Sequence, residues 1–330
     1  MMGAFARMAE AAGVPPTRLM RDFAGLSFGP GRVSIGDYER LRLYDEAFWA
    51  GADRRAVVGA RRGREVALQA NFRHDWLGLA ENRLAWGAYL EAHGLPVVPT
   101  LAMFSEGLAT PSRRLLRTRE ELRAFLMDQP DRPLVGRPAE GGHATAIVGR
   151  AVSAIDHLVD DICDNHGGGY LFQPLIAPDP RVAGLSDGRL AAVRLITVSG
   201  DRNPRVARAL WRLPGAPQAA APLDLRTGQV TRISARSPLG GARVPDWEAL
   251  KAAAVEGARL LRRLPFLAWD VAPAEGGPVI VGLTATPDLA LHQLADRRGL
   301  LDPEFLAFLD AQRRLAAEHA EQAKADAAAG

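Results

Sequence analysis

From residue 190 to residue 234 the chain reads as four extended segments in succession, 190–198, 206–213, 222–225 and 229–234. Turn chemistry at Gly200-Asp201 and Thr227-Gly228 separates them, with hardly a helical period between. A run of this kind excludes an all-helical chain. Helical spacing on either side then makes the fold α+β. Asp37 precedes Tyr38, Leu41, Tyr44 and Phe48 at helical spacing, closed by Gly51. From Trp76 the residues Leu77, Ala80, Leu84 and Ala88 share one face of a helix that Gly94 stops before Pro96. Short extended pieces are expected at 56–58 and 65–68. Extended and helical stretches then alternate: 97–104, a helix over 119–127, 133–135, 146–152, a helix over 153–164, and an apolar strand over 170–176. After the strand run, a helix is expected from Asp246 as N-cap, burying Trp247, Leu250, Ala254, Ala258 and Leu261. Two strands follow at 266–271 and 278–283. Asp302 caps a last helix with Pro303 in its first turn, and its Ala-rich end is expected to fray from about residue 316.

Composition removes several function classes. One cysteine, Cys163, excludes a disulfide framework and multi-cysteine metal sites, and it lies on the apolar stripe Ile155, Leu158, Val159, Ile162. The 41 basic and 38 acidic residues are interspersed, for a net charge of +3. The basic clusters Arg61-Arg62-Gly63-Arg64 and Arg113-Arg114 are short and lack interleaved aromatics, so no nucleic-acid footprint is expected. No stretch approaches roughly 18 uninterrupted apolar residues, and the first residues lack the apolar core of a secretion signal, so a cytoplasmic protein without a membrane span is expected. Lys251 and Lys324 are the only lysines, so any cationic role elsewhere falls to arginine.

Two motifs look like hydrolase chemistry and fail. Gly25-Leu26-Ser27-Phe28-Gly29 matches a nucleophile elbow, but Pro30-Gly31 follows where a helix must start. His166-Gly167-Gly168-Gly169 matches an oxyanion loop, but it follows the elbow in the chain instead of preceding it. There is no Walker A pattern, dinucleotide fingerprint or His-Glu-x-x-His pair.

A third constellation survives. Leu134-Val135-Gly136-Arg137-Pro138 leads into Ala139-Glu140-Gly141-Gly142-His143-Ala144. A cation at a strand end followed by a flexible loop can surround phosphates. Tyr170-Leu171-Phe172-Gln173 is an apolar strand whose backbone suits an adenine edge. Arg194 interrupts an apolar strand and needs an anion to be tolerated there. Trp269-Asp270 ends another with a carboxylate suited to Mg²⁺. Together with Asn82-Arg83-Leu84, Pro222–Gly228, Val244–Trp247, Gly277–Val281, Pro287–Leu289, Gln293 and Gly299–Leu309, this order resembles the ATP-grasp superfamily, most closely its sugar-transfer-associated branch, from about Asp22 to Leu309.

The resemblance implies an ATP-grasp-like architecture: a mainly helical segment over 1–75, a smaller α+β sub-domain over 76–175, and a larger one over 176–330, with a nucleotide cleft between the last two. It implies ATP and Mg²⁺ as cofactors. The implied chemistry is phosphorylation of a substrate carboxylate followed by attack of an amine or similar nucleophile, on a small-molecule or a peptide- or sugar-linked acceptor. Arg83 and Arg137 stand where the family has phosphate-binding lysines. Glu140, Gly141, Gly142 and His143 would cover the phosphates, and Leu171, Phe172 and Gln173 would flank the adenine. Arg194 would stabilise the transferring phosphoryl group, and Asp270 would bind metal. The family's Glu and Asn metal ligands are here Gly282 and Thr284, so the metal set is incomplete. Asp288 and Glu275 are the nearest acidic residues in sequence. A ligase with an altered metal site and an inactive homologue acting as a partner in polysaccharide or cell-surface biosynthesis are the two readings this leaves.

Overall fold

The computed structural model describes residues 2–105, 114–128, 133–141, 145–147, 152–167, 169–200, 203–214, 220–232 and 239–329. Its first ninety residues are helical: α1 (Met2–Ala12), α2 (Pro16–Ser27), α3 (Ile35–Arg40), α4 (Ala60–Ala70), α5 (Leu77–Glu81) and α6 (Arg83–Ala92). Phe5, Met8, Leu19, Tyr38 and Trp49 form one core among the first of these. The extended piece expected at 65–68 is instead part of α4. The four residues are too short a window to show that Gly63, Val66, Ala67 and Ala70 bury one helical face. Ser27 ends a helix, so the elbow-like motif has no strand before it. The helix expected over 76–88 is interrupted at Asn82, which is extended, and whose side chain caps α6 by accepting from the Ala85 N–H at 3.0 Å.

Two five-stranded sheets follow. The first contains β1 (Ala102–Phe104), β2 (Arg114–Leu116), β3 (Leu134–Pro138), β4 (Thr145–Ile147) and β5 (Tyr170–Pro174), in the order β2-β1-β5-β3-β4. α7 (Arg119–Met127) and α8 (Val152–Asn165) bury Leu122, Phe125, Ile155, Val159 and Ile162 against Phe104, Tyr170 and Phe172 on one face. Cys163 packs at the edge of that cluster.

The second sheet contains β6 (Ala192–Val198), β7 (Arg205–Arg212), β8 (Ala220–Pro222), β9 (Phe266–Ala274) and β10 (Gly277–Thr284), in the order β10-β9-β6-β7-β8. Residues 229 and 230 make only isolated bridges rather than the expected strand, and 233–238 lie outside the described residues. α9 (Trp247–Leu260) covers one face, with Leu250, Ala254 and Ala258 against Val193, Leu195, Trp211 and Trp269. Trp86 and Leu90 of α6 join the same core. Gly257 is required for this packing, because a Cβ there would lie 2.6 Å from Trp269 Cζ3. Asp246 precedes α9 in the left-handed region at φ 48° and does not cap it; its carboxylate accepts from Arg181 Nη2 at 2.6 Å instead.

The opposite face of the second sheet buries Ile196, Val198, Phe266 and Ala268 under α4 and α11 (Pro303–Ala329). Asp302 caps α11 through the Phe305 N–H at 2.9 Å. The helix runs through its Ala-rich end to Ala329. α10 (Ala290–Asp296) packs over β7 and β8 on the same side. Two buried amides fasten the N-terminal helices to this sheet. Asn71 Nδ2 donates to the Phe266 and Ala285 carbonyls at 2.7 and 3.0 Å, and its Oδ1 accepts from the Phe266 N–H at 2.9 Å. Gln293 exchanges two hydrogen bonds with the Val58 backbone at 2.9 and 3.0 Å.

Candidate functional site

Along the face that buries Ile196 and Ala268, the next residues toward the start of β6 and the end of β9 are charged. Strand register sets Arg194 opposite Asp270, and Asp270 opposite Gly282. Arg194 grips Asp270 with two parallel hydrogen bonds, Nε to Oδ1 at 2.8 Å and Nη2 to Oδ2 at 2.7 Å. Arg212 adds a third contact, with Nη1 3.8 Å from Oδ2. Burial pushes the Arg194 guanidinium toward its neutral form, but the hydrogen bonds and charge of Asp270 outweigh this and raise its pKa. The anion that Arg194 needs inside an apolar strand is therefore Asp270 itself.

Arg83 and Arg137 arrive from the other side. Arg137 ends β3 and donates from Nη1 to the Val281 carbonyl at 3.0 Å. That carbonyl is free because a β-bulge between Ile280 and Gly282 drops Val281 from the β9–β10 ladder. Arg83, in the first turn of α6, donates from Nη1 to the carbonyls of Pro138 and Gly141 at 3.0 and 2.6 Å. Burial and then the charge of Arg83 push Arg137 down to about 10, and burial also lowers Arg83, against the opposing pull of Asp270 and Glu81. The Nε atoms of both are buried without a hydrogen-bond partner among the described residues. Two desolvated cations side by side, each with an idle donor, form an anion-seeking arrangement.

The loop expected over the phosphates begins beside this pair. Glu140 is exposed and accepts from Asn82 Nδ2 at 3.1 Å, and Gly141 adopts φ 57°. Gly142 and His143 lie outside the described residues. On β5 the expected adenine residues divide between faces. Leu171 packs with Met103, Ala139 and Leu84, whereas Phe172 faces away into the α7–α8 core. Gln173 reaches the cavity beside Arg83 and Arg137, but its Nε2 is engaged by the Val98 carbonyl at 3.1 Å. β5 is paired along both edges, by β1 and β3, so its backbone groups serve the sheet. The cavity between Arg83, Arg137, Trp86, Gln173 and Ile280 measures about 10 Å³, room for one water at most.

One participant carried no sequence signal. Glu81, at the end of α5, accepts at Oε1 from Thr284 Oγ1 and the Ala285 N–H, both at 3.1 Å. It brings a carboxylate to the strand position where the resemblance expects a metal-binding Asn. Its chain position next to the break at Asn82 could have marked it, but a single exposed glutamate at a helix end is an ordinary surface residue. Asp288 pairs with Arg40, and Glu275 sits in the β9–β10 turn.

These residues do not fit a two-metal cluster. Both oxygens of Asp270 are held by Arg194, Gly282 offers no ligand, and Thr284 is bonded to Glu81. Among the described residues no group of three His, Cys, Asp or Glu side chains could hold a metal ion. What the structure does bring together is Arg83, Arg137, Arg194, Arg212 and Asp270, at the junction of the two sheets.

No protein-family model matches the chain, and no curated protein matches it. Solved structures do. The D-alanine-D-alanine ligase from Coxiella burnetii is 9% identical with a TM-score of 0.49, over 76% of this chain and 62% of that one. The ATP-grasp ligase PsnB, solved with a variant of its minimal precursor, Mg and ADP, is 16% identical with a TM-score of 0.43, over 72% of this chain and 59% of PsnB. The D-cycloserine synthetase DcsG is 15% identical with a TM-score of 0.46, over 85% and 93%. The chain thus spans about three fifths of the length of the first two.

Proposed function

We propose that this chain is an ATP-grasp-like protein that binds a nucleoside triphosphate at the junction of its two sheets, as an ATP-dependent carboxylate–amine ligase acting through an acyl phosphate. The observation that carries the reading is the pair Arg83 and Arg137, desolvated, adjacent, and each with an idle Nε donor. In that chemistry a carboxylate oxygen attacks the γ-phosphorus and ADP departs. An amine then attacks the acyl carbon, phosphate leaves, and the amine loses a proton. Arg83 and Arg137 offer the phosphates their idle Nε donors where lysines would act as point charges, with Arg212 adding positive charge beside the Arg194–Asp270 pair.

A second reading is favoured by one feature, the closed Arg194–Asp270 pair beside Gly282. Under it the chain binds nucleotide without turnover and serves as a partner, in polysaccharide or cell-surface biosynthesis by the family resemblance. Calorimetric titration with ATP, with and without Mg²⁺, separates the two. Binding strengthened by Mg²⁺ and weakened by Asp270→Ala carries the ligase reading. Binding indifferent to both carries the second. In either case Arg137→Ala should weaken ATP at least tenfold, the loss of a charged hydrogen-bonding partner of about 1.5–3 kcal/mol. No binding by the unsubstituted protein removes both readings.

A further inference from the structure

We propose that the cavity at the far end of the second sheet is a separate binding site for a phosphorylated small molecule. It lies where β6 runs out at Ser199 and α9 ends, with α11 along one side. Ser199 is five residues beyond Arg194 in the chain, at the far end of β6 and up to about 17 Å away at roughly 3.3 Å per residue. The inference is therefore independent of the nucleotide reading.

The cavity has a volume of about 610 Å³, within the range of roughly 300–1,000 Å³ typical of small-molecule sites. Arg73, Arg259, Arg262 and Arg263 line it, with His319, and no carboxylate does so among the described residues. Among the described residues Arg259 alone of the four guanidiniums has an ion pair, with Glu256; Asp201, between the lining residues Gly200 and Asn203, lies outside the described residues. Arg73 and Arg263 lie over the rings of Phe72 and Trp76, at 6.0 and 5.3 Å from the centroids, contacts that leave their charges in place.

Arginines near a helix C-terminus can serve only to balance the helix dipole. Here the carbonyls of Gly257, Leu260 and Leu261 have other partners. The Leu261 N–H bonds Gly257 O, the Leu264 N–H bonds Leu261 O, and Tyr89 Oη donates to Leu260 O. Arg73 moreover belongs to a different segment, so the convergence is not a property of α9.

Ser199 supplies the second observation. It is 7% exposed and lines the cavity. Its N–H donates to Pro265 O at 2.8 Å and its carbonyl accepts from the buried Gln312 at 3.3 Å, which hold it in place. Its Oγ nevertheless has no hydrogen-bond partner among the described residues. A buried, idle hydroxyl in a cavity also lined by four arginines is a set of donors suited to an acceptor-rich anion. A phosphate monoester fits better than a carboxylate, with three acceptor oxygens and nearly two charges. The volume exceeds a bare phosphate, and Phe72, Pro265 and Leu315 give the remainder of the ligand an apolar wall.

The test uses the full chain carrying Arg83→Ala and Arg137→Ala, which removes both cations of the proposed nucleotide site, titrated with pyrophosphate as probe in a calorimeter. Saturable binding at one site is expected. Arg262→Ser with Arg263→Ser should weaken it at least tenfold, and Ser199→Ala about threefold or more with an unchanged melting temperature. Absence of saturable binding overturns the proposal. So does full affinity in Ser199→Ala, which would leave only a diffuse positive patch. Tighter binding of a single-stranded RNA oligonucleotide than of pyrophosphate also overturns it, in favour of a nucleic-acid surface.

Discussion

His292 is buried to 1% exposure with neither ring nitrogen hydrogen-bonded among the described residues, in the field of Arg194, Arg208 and Arg212. Burial first, and then those three cations, hold its pKa well below the usual imidazole value. The folded state therefore refuses a proton that the unfolded chain accepts. Stability is complete above the unfolded value near 6.5 and falls as pH drops below it, by up to about 1.4 kcal/mol per pH unit. Melting curves between pH 7.5 and 5 should show this slope, and His292→Leu should flatten it; an equal slope in the variant refutes the assignment. Asp270 poses the opposite case. Truncating it strands Arg194, whose side chain is 16% exposed, so Asp270→Ala should cost roughly 2–4 kcal/mol in denaturant unfolding. At this scale the sequence was informative about which residues converge and silent about how they pair. Arg194 plainly needed an anion and Asp270 plainly offered one, yet strands 76 residues apart in sequence had to be set in register before one could answer the other.

Elements were most legible where a long apolar period met a clear stop. α8 and α9 fall within one or two residues of where the stripes of Ile155–Ile162 and Trp247–Leu261 put them. Legibility failed where the window was short or tertiary contact decided. α4 needed eleven residues to reveal its buried face. The break at Asn82 combines a local N-cap for α6 with a tertiary bridge to Glu140. Gly257 gives the element scale a direct check. Gly257→Ala improves intrinsic helix propensity by about 1 kcal/mol, so an uncrowded helix would gain stability. Its Cβ would press on Trp269, and overpacking of about 1–3 kcal/mol should reverse the sign. A raised melting temperature would mean that α9 does not sit this close to β9.

Across the whole molecule, the helical N-terminal segment and the second sheet are fastened by Asn71 and Gln293, which reach across 195 and 235 residues of sequence. Asn71→Ala leaves one N–H and two carbonyls of buried backbone short of a partner, so a loss of about 2–4 kcal/mol is expected in a single cooperative transition. A separate early transition confined to the N-terminal helices would show that the segment folds apart from the sheet. The bond from Arg137 to Val281 across the junction of the sheets has a different kind of consequence. On the nucleotide proposal the guanidinium whose idle Nε is offered to phosphate is also tied through Nη1 to a carbonyl exposed by a bulge, so a phosphate that turns the guanidinium must first break the resting contact. Measured affinity is then the intrinsic affinity scaled by the fraction of molecules already unlatched. A change that straightened the bulge and withdrew the Val281 carbonyl would tighten binding without touching the ligand at all.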